Sequence, residues 1–364
     1  MEVYIAIYSI PFLLSFLDTS KTSLKTKKAA LFIIIVLFTL FRGLRWNNGT
    51  DWPSYFEVFY KSGIDNIFSY DRYGEGSTLM EPGYMLLNYI IKMFGNYTLF
   101  LVITNAAILI NYYYFIKKTK TAYPIISYAL LLVSVDFFPV RQDFAIGIYL
   151  WAFYVMLNRN TIKRPFVKYL LLCVAGAMFH KSCIVLIPLY FVMSFKRNMV
   201  TAAICVFISV VPLADAILEI LVQYSDVINI SLTSMSALEI INNHIDEFEI
   251  SIVSQIYFFC WFLLFVYYKK YISHPFFQEF LNGYVMTFIF IQLFYNPLLI
   301  GFSRLAQYFF IFFPLCFSGF MDSWHHTKKF VIRIVFIALY WYKFSRLDDA
   351  FPEVLYPYHF ILFY

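Results

Sequence analysis

A chain of 364 residues that is 61% hydrophobic and only 14% charged falls well short of the roughly 25% charged residues of a soluble domain, which excludes a soluble globular enzyme and a disordered chain. The net charge of +6 is carried by loops between apolar runs, so it is a topology signal and excludes nucleic-acid binding as the main role. The apolar runs are about 14–24 residues long and continuous rather than alternating, the pattern of a polytopic helical membrane protein and not of a β-barrel.

Spans are predicted at 3–17, 29–41, 97–116, 124–138, 143–158, 166–180, 183–195, 199–222, 251–268, 279–295, 304–320 and 330–342. The fold class is therefore all-α, a transmembrane helical bundle of about twelve spans in a single integral membrane domain, 1–364. Only Met1 and Glu2 precede the first run, without a basic segment, so it is expected to stay as a span and not to be a cleaved signal. The five cysteines, Cys173, Cys183, Cys205, Cys260 and Cys316, all fall in apolar runs without metal-ligand spacing and are expected to be buried and inert.

Alternate loops, starting with 18–28, hold 18 of the 28 Lys and Arg residues, among them Lys21, Lys25, Lys27, Lys28, Lys328, Lys329 and Arg333. These loops are predicted to be cytoplasmic, which puts both termini outside. Three outer segments are too long for simple turns: 42–96, the acidic 223–250 and the tail 344–364. Within the first, 82–95 is predicted to be a helix in the outer interface. Pro82 suits its first turn and Gly95 its end, with Leu86, Leu87, Ile90, Ile91 and Phe94 on one apolar face.

Polar residues gather on the outer side. Arg42, Arg45 and Asp51 follow the second span. Glu81 precedes the interface helix. Arg141, Gln142 and Asp143 lie between spans four and five, His180 and Lys181 between six and seven, and Asn296, Ser303 and Arg304 between ten and eleven. Lone arginines such as Arg42, Arg72 or Arg346 have an ordinary explanation in snorkelling to headgroups. Asp143 has one in local pairing with Arg141, and His180 one in a hydrogen-bonded core position. Arg141 and Arg304 are less easily explained this way, because the outer side is otherwise poor in basic residues. Guanidinium groups match phosphate oxygens, and carboxylates with aromatic rings suit a sugar. Trp46, Trp52, Tyr55 and Tyr60 sit in a polar outer loop where ring faces would stack on sugars. The set points to glycosyl transfer from a lipid-linked diphosphate sugar.

The chain resembles the EpsG/Wzy-type polysaccharide polymerases of bacteria, the O-antigen and capsule repeat-unit polymerases. The resemblance rests on Arg45 with Gly49-Thr50-Asp51-Trp52 and Tyr55; Glu81-Pro82-Gly83-Tyr84; Arg141-Gln142 with Ala145; Phe179-His180-Lys181-Ser182 with Pro188; and Arg304 with Tyr308-Phe309, in family order. The tail Tyr356-Pro357-Tyr358 also looks like the family's ending. The resemblance implies a GT-C-like enzyme of the bacterial inner membrane, acting at its outer face without a metal or other cofactor. Its donor and acceptor would be polyprenyl-diphosphate-linked oligosaccharides, and a chain-length regulator is an implied partner. On this reading Arg45, Arg141 and Arg304 bind the diphosphate. Asp51 is the first candidate base, followed by Glu81 and His180, and Trp46, Trp52, Tyr55 and Gln142 contact sugar. A flippase for the same substrate, a polysaccharide ligase and a membrane acyltransferase are the rival readings.

Overall fold

The computed structural model describes residues 2–19, 21–49, 51–71, 79–134, 140–193, 252–293, 304–324, 326–345 and 358–361. Among them there is no named strand, only isolated bridges between Arg45 and Phe360 and between Asp71 and Leu79. The α-helices are α1 Glu2–Leu14, α2 Leu24–Gly43, α3 Trp52–Lys61, α4 Pro82–Lys92, α5 Tyr97–Lys118, α6 Pro124–Ser134, α7 Arg141–Leu157, α8 Pro165–Ala177, α9 Leu189–Val192, α10 Ile252–Tyr268, α11 Phe277–Leu293, α12 Phe312–Asp322 and α13 His326–Ser345. The all-α expectation holds for these residues. Two helical segments among them are both long and apolar enough to cross a membrane, Tyr97–Lys118 and Leu305–Asp322. The predicted span 199–222 and the acidic segment 223–250 lie outside the described residues, as do Cys205, Arg72 and Arg346.

Residues group into one compact unit of Met1–Tyr190 with Met321–Tyr364 and a second of Phe191–Phe320. In the first unit, α2 packs along α5, α7 along α8, and α1 against α6 and α13. Local chemistry sets the ends of these helices. The Ser23 hydroxyl accepts from the Thr26 amide at the start of α2, and the Asn96 side-chain Oδ1 from the Leu99 amide at the start of α5. The cap of α6 comes from far away: Asp18 Oδ2 accepts from the amides of Ile125 (2.8 Å) and Ile126 (3.3 Å). Buried Tyr4, Tyr8 and Phe12 of α1 meet Phe38 and Phe41 of α2 and Tyr340 of α13 through edge and stacked ring contacts.

Three expectations are corrected. The predicted span 183–195 is not one continuous helix. After α8 the chain forms the 3-10 turn Lys181–Leu186 and then the short α9, because Pro188 has no amide hydrogen to continue a helix. The turn lies back on α8, where the Tyr169 hydroxyl donates to the Leu186 carbonyl at 2.7 Å. Segment 42–96 is not an open loop around one helix. Trp52, Tyr55 and Phe59 recur at helical spacing and form the buried face of a second helix, α3. Cys173, Cys183 and Cys316 are buried as expected, but Cys260 is exposed.

In α4 the apolar residues divide between two faces. Ile91 is buried with Tyr84, Met85 and Asn88, and Leu87 packs beside them, while Leu86, Ile90 and Phe94 are exposed. Together α3, α4 and the start of α5 form a small aromatic core containing Trp52, Tyr55, Phe59, Tyr84, Tyr97 and Phe100.

The second unit pairs α10 with α11, and α11 with the 3-10 turn Arg304–Phe309. Its core is ring on ring: Phe258 stacks on Tyr284 (4.5 Å) and Phe288 (4.3 Å), and Trp261 meets Phe313, Phe317 and Phe320 edge-on.

Candidate functional site

The first unit brings four motif segments to one place. Glu81 is the residue before α4, held extended by Pro82 in the first helical turn. The first amides of α4, from Gly83 and Tyr84, donate to the Met178 carbonyl at 2.8 and 3.2 Å. This docks Glu81-Pro82-Gly83-Tyr84 against Phe179-His180-Lys181-Ser182. Gly83 is needed for the approach, because a Cβ there would lie 2.7 Å from the Met178 oxygen. Arg141 opens α7 and reaches across: Nη1 pairs with Glu81 Oε2 at 2.5 Å, and Nε donates to the Tyr55 hydroxyl at 3.0 Å. Glu81 Oε1 accepts from the Lys181 amide at 3.3 Å. The guanidinium also lies 5.3 Å from the ring centre of Tyr55 and 6.0 Å from that of Tyr84, within cation–π range.

Exposure separates the charged groups. The Glu81 side chain is 6% exposed and that of Arg141 16%. The hydrogen bonds of Arg141 run from Nε and Nη1, and Nη2 donates to no group among the described residues. The Tyr84 and Tyr97 hydroxyls are buried and make no hydrogen bond among the described residues. Arg45 is buried, and its Nη1 donates to the Arg42 carbonyl at 2.7 Å. Burial pushes its guanidinium down to about 10, which leaves it charged at neutral pH. Tyr84, Tyr97 and Tyr358 lie near Arg45, Tyr84 also near Arg141, and Tyr97 near Asp51. These tyrosines therefore link Arg45, Asp51 and Arg141 into one neighbourhood. Asp51 itself is half-buried at the start of α3, and His180 Nδ1 is 2.6 Å from the Ser182 hydroxyl.

The tail reaches the same end of the unit. The Trp46 amide donates to the His359 carbonyl at 2.9 Å, and the Ile361 amide to the Leu44 carbonyl at 3.0 Å. Tyr358 stacks on Phe41 at 4.7 Å. The His359 amide donates to the Asn48 side chain at 2.8 Å, inside a turn where Gly49 has φ 99°. That left-handed backbone explains the glycine of the Gly49-Thr50-Asp51-Trp52 motif.

Several predicted site residues have other surroundings than expected. Trp52 is buried, stacked on Phe56 at 4.9 Å and edge-on to Trp46 and Tyr97, so its ring faces meet protein and are not open to a sugar. Tyr55 is buried too and presents its hydroxyl to Arg141. Trp46 is half-buried, Gln142 is buried, and Tyr60 is exposed. Arg42 does not snorkel. It is fully buried, donating from Nη2 to the Tyr8 hydroxyl (3.2 Å) and the Leu132 carbonyl (3.3 Å). Asp143 accepts from the buried Tyr112 hydroxyl at 3.0 Å and interacts electrostatically with Arg42. Arg304 opens its 3-10 turn in the second unit, and its side chain lies outside the described residues.

Sequence reasoning missed the Arg141–Glu81 pair as a pair, the Lys181 amide and the buried Arg42–Asp143–Tyr112 layer. The spacing of Glu81 before Pro82 was the available signal for the first of these. Among the described residues, no group of three His, Cys, Asp or Glu side chains is placed to hold a metal ion.

No curated protein and no solved structure matches the chain. A family model described as the EpsG family matches residues 28–360. That match takes in every segment of the cluster around Arg141, and the chain belongs to the EpsG family, a Wzy-like polymerase family.

Proposed function

We propose that the protein polymerises polyprenyl-diphosphate-linked oligosaccharide repeats at the outer face of the bacterial cytoplasmic membrane. The observation that carries this reading is Arg141: anchored by Glu81 and Tyr55, partly exposed, and with Nη2 uncommitted. A guanidinium held in this way is preorganised for a diphosphate. The acceptor sugar hydroxyl attacks the anomeric carbon of the donor. The bond from that carbon to the diphosphate oxygen breaks, the electron pair leaves with the diphosphate, and the hydroxyl proton passes to a base. Arg141 stabilises the charge that grows on the leaving oxygen, which favours the transition state over the ground state. Arg45, kept charged nearby, adds to the field, and Arg304 is proposed as a third cation.

Asp51 is the proposed base, half-buried beside the tyrosines that link it to Arg45. Glu81, already held by a guanidinium and a backbone amide, is assigned to orienting Arg141 in preference to proton transfer. His180 and Gln142 remain candidates for sugar hydroxyls, together with the half-buried Trp46. The reaction needs no metal or cofactor on this reading. The deciding measurement is the length distribution of surface polysaccharide on a gel, with the gene deleted and then restored. The expected result is a ladder that collapses to a single repeat and returns on restoration. An unchanged ladder after deletion rejects the proposal, and loss of every repeat favours the flippase or ligase reading.

A further inference from the structure

At the other end of the first unit, a cavity of about 260 Å³ is lined by Phe16, Asp18, Thr19, Tyr123, Lys329, Phe330 and Arg333. A single water needs about 10–15 Å³, so the space admits a group of several heavy atoms. Two of its walls are cations. Lys329 and Arg333 stand one turn apart on α13 and are only 8% and 4% exposed. The next residues along the helix, Phe330 and Ile334, are exposed. Burying two like charges at this spacing is costly unless something compensates them.

The partners present do so only in part. Lys329 Nζ donates to the Tyr123 hydroxyl at 2.5 Å and lies 4.9 Å from that ring centre. Arg333 Nη2 donates to the Asp18 carbonyl at 3.0 Å, while its Nε is buried with no hydrogen-bond partner among the described residues. Asp18 is the one carboxylate of the lining, and its charge is already engaged. Oδ2 caps α6 through Ile125 and Ile126, and Oδ1 pairs with Lys27 at 3.1 Å. Asp18 is thus the one carboxylate shared by three cations: Lys27 at 3.1 Å, Arg333, which feels its charge and lies 5.7 Å from the Phe16 ring centre, and Lys329 across the cavity. Positive charge is therefore in excess around the space.

We propose that this cavity is an anion site that takes a phosphate group, bound between Arg333, Lys329 and the Thr19 hydroxyl. Its lining comes from the start of α13 and the segments around Asp18 and Tyr123, at the end of the unit that the basic residues of the alternate loops lead us to expect on the cytoplasmic side, so the phosphate is that of an anionic inner-leaflet phospholipid or of a free phosphate compound. The site is separate from the Arg141 cluster. Lys27 and Arg42 are 15 residues apart on α2, about 22 Å along a helix.

The test uses the full-length protein, purified in detergent and in nanodiscs. Thermal midpoints are compared in phosphatidylcholine discs with and without phosphatidylglycerol, and in detergent with 10 mM inorganic phosphate against chloride at equal ionic strength. A rise of several degrees with phosphatidylglycerol alone identifies the lipid headgroup as the source, and a rise with free phosphate identifies a soluble one. Arg333→Gln and Lys329→Gln are expected to lose most of that rise, whereas Lys328→Gln, on an exposed side chain of the same helix, retains it. If the glutamine variants fail to fold, native mass spectrometry of the wild type decides. One phosphatidylglycerol or one phosphate retained per chain supports the site. No rise and no retained phosphate with either probe overturns it, as does an equal rise in Arg333→Gln.

Discussion

Arg141 shows how a single side chain gains meaning from its partners. Its fork is fixed by Glu81 on one nitrogen and Tyr55 on another, and the proposed role rests on the third. Arg141→Ala is expected to cut polymerisation by about 10²–10³-fold while the protein remains in the membrane. Arg141→Lys keeps the charge but loses the fork, so it should recover only a small part of the activity. Full-length ladders from well-expressed protein carrying either change would remove Arg141 from the site. Glu81→Ala leaves a mostly buried guanidinium unpaired. It is expected to cost about 3–5 kcal/mol, read as a lowered thermal midpoint in detergent, in addition to shortened polymer. A midpoint equal to wild type would mean that the pair does not hold the segment. Arg42 is a different case at the same scale. It was legible in the sequence only as a charge at a helix end, and burial against Tyr8 and Leu132 decides that it belongs to the interior.

At the scale of elements, the decisive contact is the start of α4 against the end of α8. The Met178 carbonyl receives two amides there, and Gly83 makes room for it. Gly83→Ala is expected to push the two segments apart at a cost of about 1–3 kcal/mol and to misplace Glu81 against Arg141. Reduced polymer length with a lowered thermal midpoint is the outcome that agrees; unchanged values for both would show that the approach is dispensable. The small core of α3, α4 and the start of α5 was legible in part. Pro82 and the apolar spacing after it marked α4. Although α3 carries its own signal in Trp52, Tyr55 and Phe59, those rings read equally well as an open sugar platform until packing closes them against Tyr97.

For the whole molecule, α2 gives the topology a concrete axis. Its first turns carry Lys27, paired with Asp18, and its last turn carries the buried Arg42 next to the Arg45 cluster. The charge bias of the loops leads to the expectation that the first end faces the cytoplasm and the second the exterior. In a Cys260→Ser background, an Asn47→Cys protein on intact cells is expected to react with a membrane-impermeant maleimide, and a Lys25→Cys protein is expected not to. The reverse labelling pattern would invert the orientation and with it the outer placement of the Arg141 cluster.

By itself the sequence determined the class of the protein, since so few charges in such long apolar runs leave no other environment for the helices. It also picked out segments that the fold brings together, because an arginine, a glutamate before proline and a His-Lys pair are conspicuous amid apolar residues. Only the tertiary structure decided which of these touch. Glu81 and Arg141 are 60 residues apart, and the tail meets Trp46 more than 300 residues away, as Asn48 and His359 show with a separation of 311. Such pairings depend on how helices pack, and helical periodicity encodes which face is buried but not which partner buries it. For the same reason two cations in a loop expected to be solvated, Lys329 and Arg333, proved to be buried walls of a cavity: the length of α13 and its packing against α1 carry them inward.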